Sequence, residues 1–143
     1  MADQNVKNHV RFVPLYHGVA FLLILTGLIG SIINLLNNHG AGNHYSAALL
    51  VVVFLVFLLI FWYARSFALK AQDRAIRAEE NFRHFVLTGK PLDKQLRLGQ
   101  IIALRFASDE EFPALAKKAV DEKMSPKDIK LAVKNWRADY HRV

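Results

Sequence analysis

The sequence contains no cysteine, which excludes disulfides, thiolate metal sites and cysteine nucleophiles. It has no Asp, Glu, Lys or Arg from position 12 to position 64, 53 residues in succession, whereas 17 of the 19 basic and 11 of the 12 acidic residues lie beyond that stretch. Proline and glycine are missing from 45 to 88, so nothing there breaks a helix. Also absent are a glycine-rich phosphate loop, a zinc-ligand spacing and any Ser/His/Asp arrangement. These absences point away from catalysis by this chain and towards an uncharged membrane part joined to a charged, water-exposed part.

Two apolar segments fill the uncharged stretch. Residues 15–36 would rise about 33 Å as helix, enough for a hydrocarbon core of about 30 Å, and Pro14 precedes them where a first-turn proline is tolerated. Residues 37–44, "NNHGAGNH", read as a turn, and residues 45–64 as a second span with Tyr45 at one boundary and Trp62 and Tyr63 at the other. The first run is longer than the apolar core of a signal peptide, and no A-x-A site precedes the second. Because backbone polar groups in lipid are satisfied within a helix, the expected form is a transmembrane helical hairpin. Lys7 and Arg11 before it and Arg65, Lys70, Arg74 and Arg77 after it, with no cation in the turn, predict both termini in the cytoplasm. Much of the net charge of +7 is then topological.

The rest reads as a small all-α domain. The second span is expected to continue as a stalk over 65–88 and to stop at Gly89. Ala68, Ala71, Ala75, Ala78, Phe82 and Phe85 recur at three- and four-residue steps and form one stripe, while Asp73 with Arg77 and Glu79 with Arg83 stand four apart as opposite charges. Three shorter helices follow within 92–143. The first covers "LGQIIALRFA". The second has Ser108 as cap with Glu111 three residues later, a capping box, although Pro113 blurs its start. The third has Ser125 as cap and Pro126 at the first helical position, with Ile129, Val133, Trp136 and Tyr140 on one face. Phe82, Phe85, Ile101, Leu104, Phe106, Leu115, Ile129, Val133 and Trp136 are the expected core, folded back on the stripe. The organisation is a cytoplasmic arm over 1–14, the hairpin over 15–64 and a cytoplasmic helical domain over 65–143.

The strings "NHVRFVPLYH", "RSFALKAQDRAIRAEENFRHFVLTGKPLD", "QIIALRFASDEEFPALAKKA" and "NWRADYHRV" resemble a family of small two-span bacterial inner-membrane proteins of unknown function with a cytoplasmic helical tail. The resemblance covers most of the chain outside the spans and their turn. It implies the bacterial inner membrane, and it carries no activity, cofactor or catalytic residue.

Histidines are the remaining candidate ligands. His39 and His44 bracket the turn, and His17 lies near the cytoplasmic end of the first span with no histidine opposite it in the second. Glu80 and His84 stand four apart, whereas a di-iron site wants three. Neither a metal nor another cofactor is expected. Gly27 and Ser31, four apart, with Asn34 are the candidate contacts between spans. Arg65, Lys70, Arg74 and Arg77 are the candidate contacts to anionic lipid headgroups. Ala68, Ala71, Ala75 and Ala78 are the candidate partner face. The expected role is a non-enzymatic membrane-anchored adapter or accessory subunit of a larger membrane complex. Its partner is a protein in or at the membrane, a second copy included. A pore-forming homo-oligomer and an anionic-lipid or nucleic-acid binder are the alternatives. The spans lack a polar face to line a pore, and no aromatic platform accompanies the interspersed charges.

Overall fold

Pro14 stands at the head of the first helical stretch, as its missing N–H allows. The structure, a computed structural model, describes residues 4–6, 8, 9, 11–37 and 41–140. Among these the chain is all-α. A π-helical turn, Leu15–Ala20, leads into α1, Phe21–Asn37, and is followed by α2, Ala41–Thr88, α3, Leu98–Leu104, α4, Phe112–Asp121, and α5, Pro126–Ala132. Helix α2 begins within the residues read as the turn, so the connection to α1 is shorter than 37–44. The chain divides into two units, Phe12–Ala68 and a second made of the N-terminal arm up to Arg11 together with Leu69 onward.

In the first unit, Leu15–Asn37 and the helix that follows are long and apolar enough to cross a membrane. Most of their large side chains are exposed, Leu23, Leu50, Val52 and Leu59 among them, as suits a hydrocarbon surrounding. The two helices meet along a few small residues. A Cβ built on Gly27 would overlap the Phe54 ring, 2.9 Å from Cδ1 and closer still to two other ring carbons, so any larger residue there would force that ring to move. Ser31 and Ala47 are the buried residues of α1 and of the apolar part of α2, and Ser31 Oγ–H donates to Leu28 O at 2.8 Å. At the other end the Tyr16 ring stacks on Phe61, 4.2 Å between centroids, and its hydroxyl donates to Phe61 O.

In the second unit the core forms where short helices cross. Leu92, Leu96, Ile101, Leu104, Phe112, Leu115 and Ile129 are buried together with Ala103, Ala107, Ala116 and Ala119, and Val133 packs against them partly buried. Gly89, at φ 72°, ends α2 in the left-handed conformation, its N–H donating to Phe85 O at 2.7 Å. Gln100 ties the start of α3 to the connection between α4 and α5: its Nε2 donates to Met124 O at 2.8 Å.

Three expectations fail here, each for a physical reason. Phe82 and Phe85 are 67% and 51% exposed and take no part in the core. Helix α2 instead turns Ile76, Glu80 and Arg83 to the domain, a face roughly 135° around the helix from the stripe. Helix α4 starts at Phe112, with Glu111 as its N-cap and Pro113 in the first turn. Only half of the capping box forms, a long Ser108 N–H to Glu111 Oε1 bond of 3.4 Å. The Glu111 carboxylate reaches across the chain, accepting Lys134 N–H and Asn135 N–H at 3.1 Å each. Those captured amides explain the third difference. Helix α5 stops at Ala132 although neither glycine nor proline follows, and residues 133–140 run without helix. Trp136 there pairs with Ala107 as an isolated antiparallel bridge, Arg137 N–H donating to Phe106 O at 2.7 Å.

The N-terminal arm is stitched to this non-helical segment. Gln4 exchanges two bonds with Asp139, Nε2 to O at 2.9 Å and Asp139 N to Oε1 at 2.7 Å. Asp139 also pairs with buried Arg105, Nε to Oδ2 at 3.4 Å. The His9 ring meets Phe106 edge-on at 5.6 Å, and Phe106 stacks on Trp136 at 4.4 Å. His9 Nε2 lies 3.0 Å from Lys130 Nζ, and an ammonium only donates; Nδ1–H therefore donates to Val6 O at 2.8 Å.

At the start of α5 the sequence and structure agree. Asp128 N–H donates to Ser125 Oγ at 3.2 Å, and Ser125 Oγ–H and N–H donate to the Asp128 carboxylate at 2.6 and 3.3 Å. The hydroxyl bond first, then the backbone bond, holds the Asp128 carboxyl below its ordinary value. Because the folded state favours the ionised form, the cap contributes fully above the ordinary aspartate range and is lost as pH falls through the lowered value. Ser125→Ala should return the Asp128 titration to the ordinary range, read by carboxyl NMR.

The packing also separates two phenylalanines that look alike in sequence. Phe112→Ala should destabilise the second unit by about 3–5 kcal/mol in urea titration monitored by Trp136 fluorescence, whereas Phe82→Asp should leave its midpoint nearly unchanged.

Candidate functional site

Helix α2 carries three kinds of surface past Leu69, and the charge pattern decides which one the domain uses. Arg83 side chain is only 11% exposed, and every side of its guanidinium is occupied. Nη1–H donates to Glu80 Oε2 at 2.9 Å, Nε–H to Asp109 Oδ1 at 2.6 Å and Nη2–H to Ala107 O at 2.7 Å. The Phe112 ring lies against the plane, 4.5 Å from Cζ. The fork thus binds its own helix, the loop before α4 and the core in one step. The i, i+4 partner read from the sequence, Glu79, is not the one used; Glu80 at i−3 is. Removing one member of such a buried pair costs about 3–5 kcal/mol, since the other charge stays in a poorly solvated place.

The second surface is the Ala/Phe stripe. Ala71, Ala75 and Ala78 are exposed, Ala68 half-buried, and Phe82, Phe85 and Val86 extend the apolar strip towards the end of the helix. The third lies between the first two and presents Arg74, Arg77 and Asn81.

The remaining sequence-derived residues fall as follows. Gly27 lies against Phe54, Ser31 is buried, and Asn34 is half-buried. Arg65 is half-buried, and Lys70, Arg74 and Arg77 are exposed. His17 Nδ1 stays within its own turn, 3.0 Å from both N and O of Val13, and its ring stacks on Phe12 at 4.9 Å. His44 is exposed on the first turns of α2, and His39 lies outside the described residues. Glu80 and His84 do not form a pair: Glu80 goes to Arg83, and His84 Nδ1 lies 2.8 Å from Lys90 O. Among the described residues, no three His, Asp or Glu side chains group as metal ligands. The long-range roles of Asp109, Glu111 and Gln4 escaped the sequence reading because these partners lie 26, 24 and 135 residues away. The only signal was an acid cluster, "SDEEF", that a helix start already explained.

No curated protein and no solved structure matches the chain. The resemblance of its charged strings to a family without known activity does have a counterpart, in a model that matches residues 1–143 throughout. The chain belongs to this family, the family of unknown function DUF6526.

Proposed function

We propose that the protein is a non-enzymatic, membrane-anchored adapter or accessory subunit that docks a helix of a protein partner along the Ala/Phe stripe of α2. The observation that carries this reading is the exposure of Phe82, Phe85 and Val86 in line with Ala71, Ala75 and Ala78. The opposite side of the same helix is fully engaged by Ile76, Glu80 and Arg83. Small residues let a second helix approach closely, and each aromatic covered would contribute about 1.5–3 kcal/mol. These side chains lie outside the buried core of the domain.

Two helices long and apolar enough to cross a membrane support the anchor. The N-terminal arm bonds to residues 139 and 140 within one unit, Arg11 Nη1 donating to Tyr140 O at 3.4 Å as Gln4 does to Asp139. Ends held together in this way require an even number of crossings between them, which favours the hairpin. The flanking cations favour a cytoplasmic place for both ends, and on this reading the membrane is the bacterial inner membrane. Arg65 and Lys70 are then the cations nearest the headgroups.

Reporter fusions at residues 1 and 143 should be active only in cytoplasmic form, and those in 37–44 only in periplasmic form; periplasmic activity at either end overturns the hairpin.

Ala71→Leu and Ala75→Leu should leave the circular dichroism unchanged and weaken the native complex by about tenfold or more, through lost close approach. The check is native mass spectrometry after extraction in mild detergent. A complex of the same size and abundance in both variants would place the docking face elsewhere.

A further inference from the structure

Beside the docking strip, and sharing only Ala78 with it, α2 and the loop after Gly89 border a groove of about 530 Å3. Its rim carries Arg74 and Arg77, one turn apart on α2, and Lys94 from the facing loop. All three are exposed, and none forms an ion pair among the described residues. Arg83, in contrast, is saturated by its partners only two turns further along α2. Asn81, one turn beyond Arg77 on α2, lines the same groove. Its Oδ1 accepts Leu92 N–H at 2.9 Å, and a backbone N–H only donates, so the amide orientation is fixed and Nδ2 is left as a donor. One carboxylate, Asp93, shares the lining, and its Oδ1 is held by Gln95 N–H at 2.8 Å. Three cations against one acid leave the groove positive. Its floor is apolar, formed by Leu92, Leu96 and Ile101.

We propose that this groove binds a small phosphate-bearing ligand. The phosphate would sit between Arg74, Arg77 and Lys94 with Asn81 Nδ2 as a neutral donor, and an apolar or planar part would lie on Leu92 and Leu96. Two guanidinium forks and an ammonium from two separate elements suit an anion with three oxygens better than a planar carboxylate. The volume is that of a small-molecule pocket. Phosphate could come from a soluble compound or from a phospholipid headgroup. Arg74 and Arg77 stand 12 and 15 residues beyond Trp62, against 3 for Arg65, a separation that favours the soluble source.

The test uses the full chain in phosphatidylcholine nanodiscs, titrated with inorganic pyrophosphate by calorimetry, alongside native mass spectrometry of phosphatidylglycerol retained after extraction. Arg74→Gln with Arg77→Gln should weaken pyrophosphate binding by about tenfold or more, and Lys94→Gln by a smaller factor, since each lost charge-assisted bond is worth about a factor of ten. Lys117→Gln, an exposed cation on α4, should change nothing. Retained phosphatidylglycerol that is lost in the double variant, without pyrophosphate binding, would identify the lipid headgroup as the source. Pyrophosphate affinity and lipid retention that are both absent, or both unchanged in a folded double variant, would overturn the proposal.

Discussion

The second unit depends on one guanidinium. Arg83 lies where a long helix, the loop ahead of α4 and an aromatic core meet, and it satisfies Glu80, Asp109 and Ala107 O at once while covering Phe112. Without it the buried Glu80 carboxylate would have no compensating charge, and the helix would keep only Ile76 as a buried apolar contact to offer. An electrostatic clamp of this kind fixes the rotation of α2 about its own axis. That rotation, in turn, decides which side chains are left outside.

The consequence is a division of labour around α2. Residues at one set of positions hold the domain, those at a second set carry uncompensated cations over a groove, and those at a third expose small and aromatic side chains. Hydrophobicity alone would have ordered these faces differently, because Phe82 and Phe85 offer two large apolar side chains against the single Ile76. The buried ion pair overrides that preference: desolvating Glu80 is tolerable only in the place where Arg83, Asp109 and a backbone carbonyl converge.

How far the sequence could be read follows the same distinction between local and distant interactions. The helical continuity of α2, the proline-led start of the first helix and the Ser125 cap depend on neighbours within four residues, and all were legible. The stripe at three- and four-residue steps was also legible as a stripe, but its period says nothing about what faces it. Helix α5 ends at Ala132 because Glu111, more than twenty residues earlier, captures the amides of Lys134 and Asn135. The arm was read only as charge before a span, although Gln4 and His9 are structural members of the second unit. Of the groove, Arg74 and Arg77 were visible as cations, whereas Lys94 joined them only once the loop had folded back.

The bond between Gln4 and Asp139 spans 135 positions of the chain. At ordinary rates of synthesis the arm therefore emerges roughly 7–27 s before its partner exists. By the end of that interval the apolar stretch from Phe12 to Ala68 has left the ribosome, while the arm still hangs unpaired. The Gln4–Asp139 contact then works as a clasp fastened last, one that can close only on a chain whose middle has already found its surroundings.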